Sequence, residues 1–361
     1  MTGPKSSLRF LGYMLATATV SLIALCLLPD NRYLRFQGLT DSAVVKVGWI
    51  YERLHFDRSP IDIVFLGTSH TVFGVNGEEV EAACRKAAGR NCATVNLGLQ
   101  HLGRDLHWIL AREALETRTP KMLIIEVQES ESRAMHPAFP FLADAGDVVT
   151  APIVINTSYF ANLARLPLRQ MTGFAKDWMP EAFGARTQFN PEFYRGAHWN
   201  DTFSEKGSIE HPISKPVPRT SVHSAQELER ERKHLQARER ALLKLPGGFE
   251  QLEYRASLFY VRRMVMRAAE KGVQVRFLYM PTFRGKASPD FMGFYQQFAP
   301  VWRMPQNILD RNDLWLDVGH LNAKGAGAFS KWLGERIAAD NMGANQSLKT
   351  FQRVNGSSKG L

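Results

Sequence analysis

The chain has 361 residues, 45% of them hydrophobic and 22% charged, and a formal net charge of +10 at pH 7. These proportions fit a globular protein with a sizeable core and exclude wholesale disorder or a polytopic membrane protein. The basic residues are interleaved with acids along the chain rather than clustered, so no nucleic-acid partner is expected, only a soft preference for an anionic surface.

Residues Phe10 to Leu28 form an uncharged, mostly apolar run, about long enough to cross a bilayer core of roughly 30 Å as one helix. Lys5 and Arg9 precede it, which favours a cytoplasmic N-terminus with the bulk of the chain periplasmic or extracellular. The expectation is an uncleaved signal anchor over residues 1–30 in the cytoplasmic membrane. A cleaved signal peptide is the alternative, although no small-x-small site ends the run and Leu25 precedes Cys26 where a lipoprotein site wants a small residue. Residues 31–60 read as an amphipathic juxtamembrane segment closed by Pro60.

From Ile61 to about residue 340 the pattern is α/β. Short apolar strands are expected at Ile61–Leu66, Thr94–Leu97, Lys121–Val127 and Val273–Met280, with a weak fifth near Leu314-Trp315-Leu316. Helical spacing is expected from about Gly77 to Cys84 and over Arg104–Thr117, Glu250–Lys271 and Ala323–Ala339. Alternation of this kind predicts right-handed crossovers and a three-layer, flavodoxin-like parallel sheet. An insertion at about 132–248 interrupts it. Its aromatic and polar mixture, including Phe139, Trp178, Phe193 and Trp199 with Asn200, suits either a lid or glycan-binding wall or ordinary packing. Within it, Ser224–Leu245 reads as a charged, solvated helix. The tail, residues 341–361, is polar and expected to be mobile. Cys84 and Cys92 are open to two readings, a local disulfide in an oxidising compartment or two free thiols.

Three turns at strand carboxyl ends converge on one expected crevice: Gly67-Thr68-Ser69 after the first strand, Gly98 after the second, and Gln128, Glu129 and Ser130 after the third. Downstream, Asp317-Val318-Gly319-His320 leads into the last helix. A serine needs a base to take its proton, and the base needs a carboxylate to fix its tautomer. Asp317 and His320 can supply both. The serine turn lacks the Gly-x-x-x-x-Gly-Lys phosphate loop, and Thr71 stands at the last glycine of the Gly-x-Ser-x-Gly elbow. The plain alternative is a helix N-cap. His70, His101 and Arg104 are candidate substrate contacts, with packing or a helix-start role as the alternatives. The histidines show no metal-ligand spacing, and neither metal nor cofactor is expected.

Gly67-Thr68-Ser69, Asn96-Leu97-Gly98 and Asp317-Val318-Gly319-His320-Leu321-Asn322 followed by Gly325 together resemble the SGNH/GDSL hydrolase superfamily. With the single anchor and long insertion, the chain looks most like the membrane-anchored branch of DltD-like and alginate-acetylation-type proteins, which act beside membrane-bound O-acyltransferases. The resemblance covers about 61–130 and 250–339. It implies Ser69 as nucleophile, His320 as general base and acid, Asp317 as its orienter, and the backbone N–H groups of Ser69 and Gly98 as oxyanion donors. The family's Gly-x-Asn-Asp block is replaced by Glu126-Val127-Gln128-Glu129-Ser130; Gln128 would supply the missing amide, whereas Glu129 would repel an oxyanion. The implied function is an esterase or O-acyltransferase acting on acyl, chiefly acetyl, esters of a cell-surface or secreted polysaccharide. A non-catalytic accessory protein that binds glycan or an acyltransferase is the alternative.

Overall fold

The computed structural model describes residues 4–39, 44–128, 133–199, 208–211, 214–241, 245 and 249–340. Its centre is strand β1 (Ile63–Leu66), all four residues buried. Strand β2 (Thr94–Asn96) pairs on one side of β1 and β3 (Met122–Glu126) on the other. After a separate two-stranded hairpin, β4 (Ser208–His211) with β5 (Ser214–Pro218), strands β6 (Gln274–Tyr279) and β7 (Val301–Arg303) complete the sheet in the order β2-β1-β3-β6-β7. All its pairings are parallel. The sheet starts from β1, adds β2 to one flank and then β3 to the other. This is the flavodoxin-like order, and its switch point lies between β1 and β3.

Side chains alternate across each strand and so build two cores. Val64, Leu66, Leu123, Ile125 and Phe277 join one cluster with side chains of helices Lys46–His55, Arg104–Thr117 and Arg255–Glu270. Ile63, Phe65, Met122, Ile124 and Leu278 join the other with side chains of helices Gly77–Ala88 and Ala323–Ala339. Burial on both faces explains why the strands read as continuous apolar runs. Helix Gly77–Ala88 has local signals for both ends. Asn76 accepts from the Glu78 and Glu79 amides, Glu78 and Glu79 complement the positive end, and Gly89 closes it at φ +64°. The next turn carries a Cys84–Cys92 disulfide.

Three expectations change. The fifth strand is Val301–Arg303; Leu314-Trp315-Leu316 instead leaves a 3-10 turn at Asn312–Leu314 and makes one antiparallel bridge, Trp315 to Leu321. Those residues are apolar because the turn is buried, not because they extend. The segment 31–60 is part of the body: helices Arg32–Gln37 and Lys46–His55 bury Phe36, Trp49, Ile50 and Leu54 in the first core. The long helix expected over Glu250–Lys271 is broken at Tyr254 into Glu250–Glu253 and Arg255–Glu270. The N-terminal helix runs Pro4–Cys26, and Leu8–Cys26 is long and apolar enough to cross a membrane. The tail at 341–361 lies outside the described residues.

Helices Gly77–Ala88 and Ala323–Ala339 approach closely enough that a Cβ on Gly334 would lie 2.5 Å from the Val80 carbonyl and 2.8 Å from the Cys84 amide. Backbone cannot yield as a side chain end can, so Gly334→Ala should destabilise by roughly 1–3 kcal/mol. A lower urea midpoint at unchanged m-value is the expected result.

Candidate active site

The serine turn is shaped by its residues. Gly67 closes β1 where any Cβ would overlap the Thr71 hydroxyl and the Glu126 carboxylate, so only glycine fits. Thr68 caps the following helix, Ser69–Gly74, its hydroxyl accepting from the His70 amide. Ser69 is therefore the first residue of that helix rather than its cap. Its hydroxyl lies 2.8 Å from His320 Nε2.

His320 is held by a tight turn. Trp315 and Leu321, both buried, bridge its base, and the Leu316 amide donates to the His320 carbonyl. Asp317 Oδ1 accepts from the Gly319 and His320 amides at 2.7 and 2.8 Å, which aims the carboxylate back at its own loop. His320 Nδ1 lies 2.9 Å from Oδ1 and 2.8 Å from Oδ2. A carboxylate can only accept here, so Nδ1 carries the proton and Nε2 is left to accept from Ser69. Burial pushes the Asp317 pKa up, but His320 and the two amides outweigh it and hold the group down at about 2. Asn322 then caps helix Ala323–Ala339 by accepting from the Gly325 amide, and donates to the Asp313 carbonyl, tying the turn to the helix.

Glu126, at the carboxyl end of β3, secures the serine turn from the neighbouring strand. Its buried carboxylate accepts from the amides of Thr68 and Thr71 at 2.8 and 3.2 Å and from both their hydroxyls. The Asn96 side chain adds a second brace by donating to the Thr71 and Val75 carbonyls. Phe73 lies 4.8 Å from the His320 ring, and the buried Arg219 guanidinium sits 4.6 Å from the Phe73 ring. Burial lowers the Arg219 pKa to about 10 while Asp317 opposes it, leaving a cation at neutral pH.

His70 belongs to the site. Its ring is 5.6 Å from that of His320, and its Nδ1 donates to the Met280 carbonyl at 3.0 Å, leaving Nε2 as an acceptor. Burial, with His320, pushes its pKa below the usual histidine range; Glu126, Met280 and Asp317 oppose this. The other candidates stand differently. The Gly98 amide already donates to Asn96 Oδ1 at 2.8 Å, so the oxyanion role expected of it is occupied by a side chain of its own motif. Gln128 is buried, and its side-chain amide has no partner among the described residues; Glu129 and Ser130 lie outside them. Arg104 is buried at the start of helix Arg104–Thr117, lining a small cavity with Asp105, Arg133, Glu253 and Tyr260, none of which belongs to the serine site. His101 is exposed, with its ring 5.9 Å from His136. Of the aromatic residues in the insertion, Phe139 is core and Trp199 packs on Trp49, whereas Trp178 and Phe193 are exposed; Asn200 lies outside the described residues. Among the described residues no group of three His, Cys, Asp or Glu side chains is arranged to hold a metal ion.

Sequence reasoning missed Glu126 as a clamp, along with Phe73, Arg219 and the Met280 carbonyl. The available signal was a carboxylate ending an apolar strand, opposite a Thr-x-x-Thr turn. Compared with known proteins, the chain matches no family model and no curated protein.

Two outcomes follow. An amide at position 126 accepts through one atom only and turns an NH2 towards donors, so Glu126→Gln should cost roughly 1–3 kcal/mol of stability in urea unfolding. Asp317 has its folded pKa depressed, so its contribution is present above the unfolded value and lost as pH falls through the folded one. The stability gap between the wild type and Asp317→Asn should be flat above about pH 5 and close between about pH 4 and 2; a gap unchanged at low pH would contradict the assignment.

Proposed function

We propose that the chain is a membrane-anchored serine esterase or O-acyltransferase of the SGNH type, its body outside the cytoplasmic membrane, acting on acyl esters of a cell-surface or secreted polysaccharide. The observation that carries this reading is the relay from Ser69 Oγ to His320 Nε2 and from His320 Nδ1 to Asp317, 2.8 Å at each contact. That arrangement activates a hydroxyl for attack on a carbonyl and stabilises the imidazolium that forms. Ser69 would attack the ester carbonyl as His320 takes its proton. His320 would return that proton to the leaving sugar oxygen, giving an acyl-enzyme. Water, or a second sugar hydroxyl delivered by an acyltransferase partner, would then release the acyl group, with His320 again as base.

The exposed, apolar Leu8–Cys26 helix supports the anchor, and Lys5 and Arg9 support its orientation. The Cys84–Cys92 disulfide supports an oxidising compartment. Polysaccharide, acetyl ester and acyltransferase partner rest on the motif resemblance. One observation favours the accessory reading, a glycan- or acyltransferase-binding protein without catalysis: the Gly98 amide is committed to Asn96, so an oxyanion would have fewer donors.

The test is labelling of the full-length protein in detergent with a fluorophosphonate probe, alongside p-nitrophenyl acetate turnover. Wild type should label and turn over; Ser69→Ala should do neither, and Asp317→Asn should lose on the order of 10³-fold or more in rate. Labelling that survives Ser69→Ala would overturn the nucleophile, and absence of both activities in the wild type would favour the accessory reading.

A further inference from the structure

Helix Tyr159–Trp178 in the insertion carries apolar residues on both sides. It buries Tyr159 and Leu166 together with the amides of Asn162 and Gln170, while Phe160, Leu168 and Trp178 are 72%, 62% and 73% exposed, with Leu163 and Met171 beside them. At 100° per residue these five exposed positions fall on one face, and Arg165 and Lys176 lie to one side of it. A helix that buries amides and presents a continuous apolar stripe outward has a hydrophobic side facing the surroundings, and water is the wrong solvent for it. The stripe is not isolated, since most exposed large apolar side chains outside the N-terminal helix fall between Phe141 and Phe193.

Its location identifies the solvent. This helix packs against the N-terminal apolar helix. Asn31 Nδ2 donates to Asp177 Oδ1 at 2.7 Å, and Arg169 lies within the electrostatic reach of Cys26 and Asp30. The connection is braced, because Asp144 of the insertion binds Arg32, Arg35 and Arg112 at 2.7–2.9 Å. The stripe therefore adjoins the point where the chain leaves its membrane-crossing stretch.

We propose that helix Tyr159–Trp178 is an interfacial membrane helix, lying in the plane of the bilayer surface with its Phe160–Leu163–Leu168–Met171–Trp178 face sunk into the lipid boundary. Lys176 and Arg165 lie along one edge of that face, suited to reach lipid phosphates by extending their aliphatic stems. Trp178 is the residue type that favours this depth. The inference rests on Leu8–Cys26 crossing the membrane and is independent of the chemistry at Ser69. It gives the body a second attachment, so that the globular part cannot swivel freely about a single span.

The test uses full-length protein carrying Cys26→Ala, with the Cys84–Cys92 bridge kept oxidised, in liposomes of phosphatidylcholine and phosphatidylglycerol that contain no other protein. A nitroxide is attached in turn at Leu168→Cys, at Lys331→Cys on the exposed surface of the last helix, and at Leu15→Cys in the anchor. Its accessibility to oxygen is compared with that to a water-soluble nickel chelate. Leu168→Cys should favour oxygen several-fold over Lys331→Cys. If it matches Lys331→Cys while Leu15→Cys is deep in lipid, the interfacial helix is overturned and the stripe is left to a protein partner. If Leu15→Cys also reads as aqueous, the membrane span itself fails and the proposal with it. The three positions are exposed, so the substitutions leave the core intact.

Discussion

The Glu126 carboxylate is the constraint on which the serine site depends. Parallel strands leave their carboxyl ends open, and beyond the Gly67 carbonyl, which accepts from the Leu99 amide, the turn after β1 needs further partners to fix it. A buried carboxylate at the end of the adjacent strand β3 supplies them, accepting from two amides and two hydroxyls of Thr68 and Thr71. A buried charged acceptor is costly unless its lone pairs are used, and this one is saturated by the turn it holds. The same arrangement excludes any side chain at Gly67. Ser69 is consequently carried on the sheet through β3 as well as through its own strand.

The other half of the site arrives from the far end of the chain by a different device. Asp317 and His320 sit in a loop that closes on itself, with the Asp317 carboxylate accepting backbone amides of the loop before it meets the imidazole. Trp315 and Leu321 fix the base of that loop in the second core, and Asn322 converts its end into the cap of helix Ala323–Ala339. That helix lies against helix Gly77–Ala88, with Gly334 at the close approach. Packing between these two helices thus helps hold the His320 turn over Ser69, 2.8 Å from its hydroxyl.

These two halves were legible to different degrees. The meeting of Ser69, Asp317 and His320 could be read because those residues stand in short motifs at the ends of recognisable elements. The sheet was legible because strands buried on both faces are written as uninterrupted apolar runs. The last strand was not, since Val301–Arg303 is three residues long at a sheet edge, and Arg303 is exposed. The denser run at Leu314–Leu316 reported burial of a turn instead. Arg104 was misplaced for a similar reason: position after a strand locates a helix start, but whether a side chain faces the crevice or the interior depends on packing with helix Arg255–Glu270, which local sequence does not encode. Gly98 shows the same limit at smaller scale, because Asn96, two residues away, takes its amide. Glu126 escaped notice because its partners are 55 and 58 positions away and form no motif with it.

The two histidines beside Ser69 divide their roles by charge. His320 must accept a proton for the proposed chemistry to proceed, and a second imidazolium with its ring 5.6 Å away would oppose it. At an effective dielectric constant of about 20 that repulsion would be roughly 3 kcal/mol, enough to slow proton transfer by about two orders of magnitude. Against this, His70 is half-buried and its Nδ1–H donates to the Met280 carbonyl, a bond a neutral imidazole makes fully. Desolvation also lowers its pKa, which favours the neutral form. With Nδ1 donating, a neutral His70 keeps Nε2 able to accept, so beside Ser69 it could take a hydrogen bond from an incoming hydroxyl in the proposed chemistry without adding a second positive charge.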